Sequence, residues 1–361
     1  MNIFGAPSRY IQGSGVLDRM GEILSPLGDR FLAFGDETVL SIVGERVARA
    51  LEGNNKLAIM ETFGGECSYR EIFRLKSVAQ QSKAQAIVGI GGGKAADTTK
   101  ALHMHLNLPI VIVPTIAATD APTSHLLAIY DENHVIQEVL RMEGSPSIIL
   151  VDSTVIAQAP VRFLVAGMGD ALSTKFEAEA CWKSGATNLF GGKPTQAALR
   201  LGQLAYEVIR ESGEEAKVSV EHEEVTPAVE KVIEANILLS GLGFESGGLA
   251  AAHAIHAGFT LVEEMNQSFH GEKVAFGVLV QLVMEKREGN FIRDLIGFYR
   301  RVGLPTSLEQ LGLREFRSDK IENVAKRACQ EGSYIHNMPF EVDEKAVVEA
   351  IIEANSLMES E

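Results

Sequence analysis

The residues with the clearest chemical content are the run Gly89-Ile90-Gly91-Gly92-Gly93-Lys94-Ala95-Ala96-Asp97 and three histidines, His253, His256 and His270. The glycines follow an apolar segment, residues 84–88, and open a helix-like one. A strand that ends in glycines and turns into a helix leaves free backbone N–H groups at the positive end of the helix dipole, which is a site for phosphate. The spacing is not that of a Walker A loop. Val88 takes the place of its first glycine, and Ala95 the place of its Ser or Thr. Gly91 to Ala96 instead fits G-x-G-x-x-A, a pyrophosphate fingerprint of dinucleotide folds. That fingerprint wants an acid about 20 residues downstream, and none stands there. An acid stands upstream, at Asp36, after the apolar run 31–34. Its carboxylate can accept from an adenosine ribose and would repel a 2′-phosphate, which favours NAD over NADP.

His253 and His256 are three apart in an Ala-rich helical segment and so share a face. The run 247–252 before them has almost no bulk, so another backbone can approach closely. His270 opens a further helix. Two neutral imidazoles and one carboxylate with an open fourth position suit a catalytic zinc. Spacing does not name the carboxylate. Asp170 is the best placed, a lone acid in the apolar, Gly-rich stretch 166–172, and a buried lone carboxylate needs a partner. Histidines bonded to one another in a helical core are the competing reading. The other six histidines show no ligand spacing. The polar loop 115–124 supplies hydroxyls and one carboxylate, Asp120, after a strand.

These groups need elements to position them. The apolar runs 31–34, 57–60, 86–88, 110–113 and 148–151 suit strands buried on both faces of a parallel sheet. Amphipathic helical stretches such as 72–81 lie between them. The alternation predicts a doubly wound α/β sheet with ligands at the strands' carboxyl ends. Residues 126–140 read as a small hairpin turning near Asp131-Glu132-Asn133. Beyond about residue 160 the pattern is helical, at 195–210, 225–240, 274–285 and 346–355. We therefore expect an α/β domain over 1–160, an all-helical domain over 161–361, and a ligand cleft between them.

The 361 residues are 46% hydrophobic and 22% charged, enough for a sizeable core. A net charge of −15 disfavours nucleic acid and anionic membrane as partners. Three scattered cysteines fit a reducing cytosol. The N-terminus does not read as a signal peptide, and no apolar run is long enough to span a membrane. The expected location is cytoplasmic.

Together GIGGGK, PTIAATDAPTS, GMGDALSTKFEA, FESGGLAAAHAIHAG and HGEKVAFG resemble the glycerol dehydrogenases, which belong to the iron-activated alcohol dehydrogenases and share a fold with dehydroquinate synthase. The resemblance covers nearly the whole chain, in family order. It implies a dehydroquinate synthase-like fold and an NAD-dependent, zinc-containing polyol dehydrogenase, assembled as a homo-oligomer, commonly an octamer. It makes Asp170, His253 and His270 the zinc ligands, with His256 near the metal. Iron-using relatives carry a histidine four residues after the aspartate, where this chain has Thr174. The resemblance assigns the pyrophosphate to Gly93, Lys94, Ala95, Ala96 and Asp97. The nicotinamide side falls to Thr115, Ile116, Ala117 and Ala118, with further NAD contacts from Ser124, Leu126 and Tyr130. Asp36 takes the adenosine ribose, and Asp120 contacts the substrate, a small vicinal diol held with Asp170, His253 and His270. His125, Leu127 and Ala257 depart from the usual family residues and are expected to line or border the pocket.

The implied reaction is hydride transfer from a metal-activated hydroxyl to nicotinamide, taking glycerol reversibly to dihydroxyacetone. One alternative is a dehydroquinate synthase-like lyase or cyclase, or a glycerol-phosphate dehydrogenase. Either needs several cationic side chains for a phosphorylated substrate, and few stand near the motifs, Lys273 and Lys175 being the nearest. A non-catalytic NAD- or metal-binding protein is a third reading, opposed by the complete ligand set.

Overall fold

The computed structural model describes residues 1–131 and 136–357. Strands β1 (Arg9–Gly13), β8 (Ile148–Asp152), β5 (Ile110–Pro114), β4 (Ala86–Gly91), β2 (Arg30–Gly35) and β3 (Leu57–Thr62) lie side by side in that order. Every pairing between them is parallel. The five apolar runs expected as strands are β2, β3, β4, β5 and β8. Both faces are covered: Ala33, Val88, Val111 and Leu150 enter one core, while Leu32, Ile87 and Ile110 enter another. Burial on both sides is why these strands read as continuous apolar runs.

The sixth strand, β1, was not anticipated. It is an edge strand whose Gln12 donates from Nε2 to the carbonyl of Glu230 at 2.8 Å and to the Glu230 carboxylate at 2.5 Å. Its polar residues hide it from a search for apolar runs.

β2 is flanked by β3 on one side and β4 on the other, so the winding direction reverses between β2 and β4. A crevice opens beyond the carboxyl ends of two such strands. The expected hairpin is present, with β6 (Leu126–Tyr130) antiparallel to β7 (Ile136–Arg141). Of the expected turn, Asp131 follows β6, and Glu132 and Asn133 lie outside the described residues.

After Asp152 the described chain forms helices, with one isolated bridge between Asn2 and Lys193. The helix expected over 195–210 runs on to Glu221 behind a Thr195 cap. The stretch 225–240 is divided into a helix Pro227–Glu234 and a π-helical turn Ala235–Leu239 that leads into the next helix. Five helices concern the site: α1 (Gly93–Leu106), α2 (Val161–Ser184), α3 (Ser240–Gly247), α4 (Ala251–Phe259) and α5 (His270–Met284). Pro160, expected at the junction, precedes the first residue of α2 and fits a helix start, where a missing N–H costs nothing. The largest core cluster joins α2, α4 and α5 and reaches Ile149 and Val151 of β8, so the helical half packs directly on the sheet.

Candidate active site

The crevice at the sheet's switch point is a cleft of about 720 Å³. β2 delivers Asp36 to its rim, where one carboxylate oxygen caps the following helix by accepting from the Val39 N–H at 2.8 Å. β4 ends at Gly91, whose φ of 142° is a conformation that L side chains rarely adopt. The chain then enters α1 with its first N–H groups unpaired and aimed beyond the strand ends. A side chain at Gly93 would meet nothing within 4 Å, so the space over this helix terminus is open. That opening, the helix dipole and the adjacent Asp36 fit the pyrophosphate and ribose of a dinucleotide.

Of the residues expected to hold NAD, Asp36, Gly93, Lys94, Ala95, Thr115 and Ile116 line this cleft. Lys94 pairs with Glu66 at 2.6 Å and lies over the Tyr130 ring at 5.2 Å. Phe163 and Pro160 close the far wall. The remaining expected residues lie behind this lining. Ala96, Ala117 and Ala118 are buried. Asp97 accepts from the Ala128 N–H at 3.3 Å and stands 3.7 Å from Lys100. The Ser124 hydroxyl accepts from the Leu126 N–H, and Leu126 packs beside Leu189, Phe244 and Leu249.

The loop after β5 runs from Thr115 and Ile116 in the cleft to Asp120, whose backbone N–H donates to Asp170 at 3.3 Å. Asp170 comes from α2, His253 from α4 and His270 from the first turn of α5. Their ligating atoms all lie within 4.8 Å of one another. The crossing of α2 and α5 sets this proximity. A Cβ on Gly271 would stand 1.9 Å from the Ala166 carbonyl oxygen, and one on Gly169 would stand 2.4 Å from the Gly271 carbonyl oxygen. Only glycines let these helices meet so closely.

Asp170 Oδ1 is buried without a hydrogen-bond partner, 3.2 Å from His270 Nε2 and 3.5 Å from His253 Nε2. Burial works to raise its pKa, but His270 and His253 outweigh it and hold the carboxyl far below the usual range. His253 is raised well above the usual imidazole value, because Glu177 and Asp170 outweigh its burial. His256 is pushed well below that value, first by burial and then by His270 and His253. An orphaned carboxylate oxygen facing two imidazole nitrogens is what a ligand set presents to a divalent cation. His253, His270 and Asp170 therefore fit a metal. His256 does not join the trio. Its Nε2 is 3.0 Å from His270 Nδ1, behind the ligating nitrogen.

Several residues at this centre were not singled out from the sequence. Glu177 contacts His253 Nδ1 at 2.6 Å. Ser240 donates to Asp120 at 2.6 Å and is bonded to Thr174 at 2.8 Å. Asp120 is raised well above the carboxylate range, by burial and then by Asp170. Glu177 did carry a signal: seven residues after Asp170, it lies on the same face of one helix.

The expectation that His125 and Leu127 shape the pocket is corrected. The His125 ring is buried between Glu245 and Phe190, and Leu127 points into the sheet's core with Ile87 and Ile129. Neither lines the cleft. Lys175, one of the two nearest cations for a phosphorylated substrate, is paired with Glu179.

A cleft at the switch point of a parallel sheet, joined by one loop to three side chains on packed helices that could hold a metal ion, fits a cofactor- and metal-dependent oxidoreductase. The model of the family described as "Iron-containing alcohol dehydrogenase" matches residues 7–153. Glycerol dehydrogenase from Citrobacter freundii is 45% identical over 99% of this chain and 98% of its own. Glycolaldehyde reductase from Halobacterium salinarum is 42% identical over 99% and 98%. The crystal structure of a probable glycerol dehydrogenase from Sinorhizobium meliloti 1021 superposes with a TM-score of 0.93 at 43% identity, over all of both chains. The chain belongs to the iron-containing alcohol dehydrogenase family. It is an NAD-dependent alcohol dehydrogenase. No helix among the described residues is long and apolar enough to cross a membrane.

Proposed function

We propose that the enzyme oxidises glycerol, or a similar small vicinal diol, to the hydroxyketone with NAD, reversibly, and that its metal is zinc bound by Asp170, His253 and His270. The observation that carries this reading is the orphaned Asp170 Oδ1 facing two imidazole nitrogens, one loop away from the nucleotide cleft. Thr174 supports zinc over iron. It stands where iron-using relatives carry a fourth ligand, and its hydroxyl is bonded to Ser240. Three protein ligands leave a position open for the substrate. The half-exposed His270 marks the accessible side of the cluster, since 36% of its side chain is open to solvent against 12% for His253.

When bound, the metal supplies Lewis-acid polarisation of an alcohol oxygen, and the nicotinamide supplies the hydride acceptor. The protein supplies position. The N-terminus of α1 anchors the pyrophosphate, and Thr115 and Ile116 fix the nicotinamide end. Ser240 orients the Asp120 carboxyl, which the reading places against the polyol. Phe163, stacked on Phe269 at 5.0 Å, keeps the far wall of the cleft apolar. Reduction of a small hydroxyaldehyde is the second reading, favoured by the likeness to the Halobacterium salinarum reductase and consistent with the reverse direction of the same chemistry.

The test is NADH formation from glycerol, 1,2-propanediol and 2,3-butanediol before and after chelation, with zinc and ferrous iron added back. Recovery by zinc on a vicinal diol supports the reading. Full turnover by a metal-free His270→Ala protein overturns it, as does activity that only a phosphorylated substrate elicits.

A further inference from the structure

The two histidines of the metal cluster have unlike partners. His270 Nδ1 meets another imidazole, the ring of His256, at 3.0 Å. His253 Nδ1 meets the carboxylate of Glu177 at 2.6 Å. Glu177 is fully buried on α2, two turns beyond Asp170. Its other oxygen accepts the backbone N–H groups of His253 at 3.0 Å and Ala250 at 2.8 Å. One carboxylate thus holds both the ring and the backbone of a single ligand, at the N-terminal end of α4, where N–H groups have no partners within the helix.

A carboxylate accepts and cannot donate, so the hydrogen on the His253 ring must sit on Nδ1. Nε2, which faces Asp170 Oδ1, is then the nitrogen left to bind a cation. The negative charge behind the ring also makes Nε2 a better donor to a cation. We infer that Glu177 is the positioning residue of the metal centre: it locks His253 in the ligating tautomer and makes it the stronger of the two imidazole ligands. The inference rests on the reading that Asp170, His253 and His270 hold a metal.

Glutamine is the informative replacement. Its single oxygen is needed by the two backbone N–H groups, so its NH2 would face His253 Nδ1. That nitrogen would then have to accept, the ring hydrogen would move to Nε2, and Nε2 would point an N–H at the cation. The side chain's volume is nearly unchanged, so packing of α2 against α4 is retained.

The experiment starts from purified holoenzyme and measures zinc transfer to a chromogenic chelator for wild type, Glu177→Gln, Glu177→Asp, His256→Asn and Asp170→Asn. NAD affinity and apoprotein unfolding are measured in parallel. Glu177→Gln is expected to loosen zinc by about 10–100-fold, the range typical of lost partners of metal ligands. NAD affinity should be kept, and His256→Asn should lose less. Glu177→Asp keeps the charge on a shorter arm and should fall between Glu177→Gln and wild type. It also serves if the glutamine variant does not fold. Cobalt substitution adds a spectroscopic readout, since the Glu177→Gln site should show shifted d–d bands. Wild-type zinc affinity in Glu177→Gln overturns the inference, as does a loss that tracks apoprotein stability and appears equally in NAD binding. Wild-type protein that binds no stoichiometric zinc, or an Asp170→Asn protein that binds it as well as wild type, defeats instead the reading that a metal is held there.

Discussion

The His125 imidazole meets the Glu245 carboxylate across the seam between the sheet and the helical half, and the His125 backbone N–H donates to the same oxygen at 2.5 Å. The ring stacks on Phe190 with centroids 4.2 Å apart. Glu245 is fully buried and its second oxygen has no partner, so His125 provides the side-chain compensation for that carboxylate. Removing one member of a buried pair strands the other. His125→Ala should therefore lower unfolding stability by about 2–3 kcal/mol in urea titrations, the cost of a buried polar group left without its partner. The KM for glycerol should hold at the wild-type value, because the ring is buried against Glu245 and Phe190 and touches none of Asp120, Asp170, His253 and His270. The double variant His125→Ala/Glu245→Gln should recover part of the loss.

The contact of Gly271 with Ala166 makes a second expectation. Gly271→Ala places a methyl 1.9 Å from a backbone oxygen that has no side-chain freedom to yield. α5 must move from α2, and His270 moves with it. Overpacking of this kind costs about 1–3 kcal/mol. Zinc retention against a chelator should fall by more than NAD affinity measured by fluorescence, since the pyrophosphate and ribose end of the cleft lies on β2, β4 and α1, away from this crossing.

How much of this could be read from the chain depends on the range of each interaction. Residues 31–34 and 110–113 announce buried strands because both faces of the sheet are covered, a property local to each run. β1 does not, because Gln12 is satisfied by Glu230, over 200 positions away. The pairing of His253 with His256 follows from helical spacing, but the approach of Asp170 to His270 needs the Gly169–Gly271 crossing. Glu177 was within reach of helical periodicity from Asp170. Ser240 and Glu245 were not, because each meets its partner, Asp120 and His125, across 120 residues. The expectation for His125 failed for a related reason. Position beside a cofactor loop says nothing about which way a ring turns, and a buried carboxylate elsewhere in the chain decided it.

Asp97 carries a pH dependence. Burial raises its pKa to about 6, against the lowering effects of Lys100 and the Ala128 N–H. A carboxyl whose folded-state pKa lies above its unfolded value stabilises the fold when protonated. That contribution is full below the unfolded value near 3.8 and is lost as pH rises through about 6. Between pH 4.5 and 7.5 the term amounts to about 2 kcal/mol. Asp97→Asn removes Lys100's counter-ion at pH 7.5, where Asp97 is ionised. Its unfolding free energy, measured by urea at both pH values, should nevertheless lack this share of the fall. A variant with the full wild-type slope would assign the slope to another group.

We propose that Asp36 governs which dinucleotide the cleft admits. Asp36 and Glu37 both line the cleft, and one Asp36 oxygen already caps the following helix through the Val39 N–H. The cap and the charge are separable. Asp36→Ser keeps an oxygen able to accept from Val39 and removes the negative charge that a 2′-phosphate would meet. Its ratio of kcat/KM for NADP over NAD should rise by about tenfold or more, equivalent to ~1.4 kcal/mol of relieved repulsion. Glu37 remains, so NAD should stay the preferred cofactor. Asp36→Ala removes both functions. It should show the same shift in ratio together with about 1 kcal/mol of lost stability from the missing cap. If the serine variant leaves the ratio unchanged while the alanine variant loses stability, Asp36 serves the helix alone and discrimination lies elsewhere in the cleft.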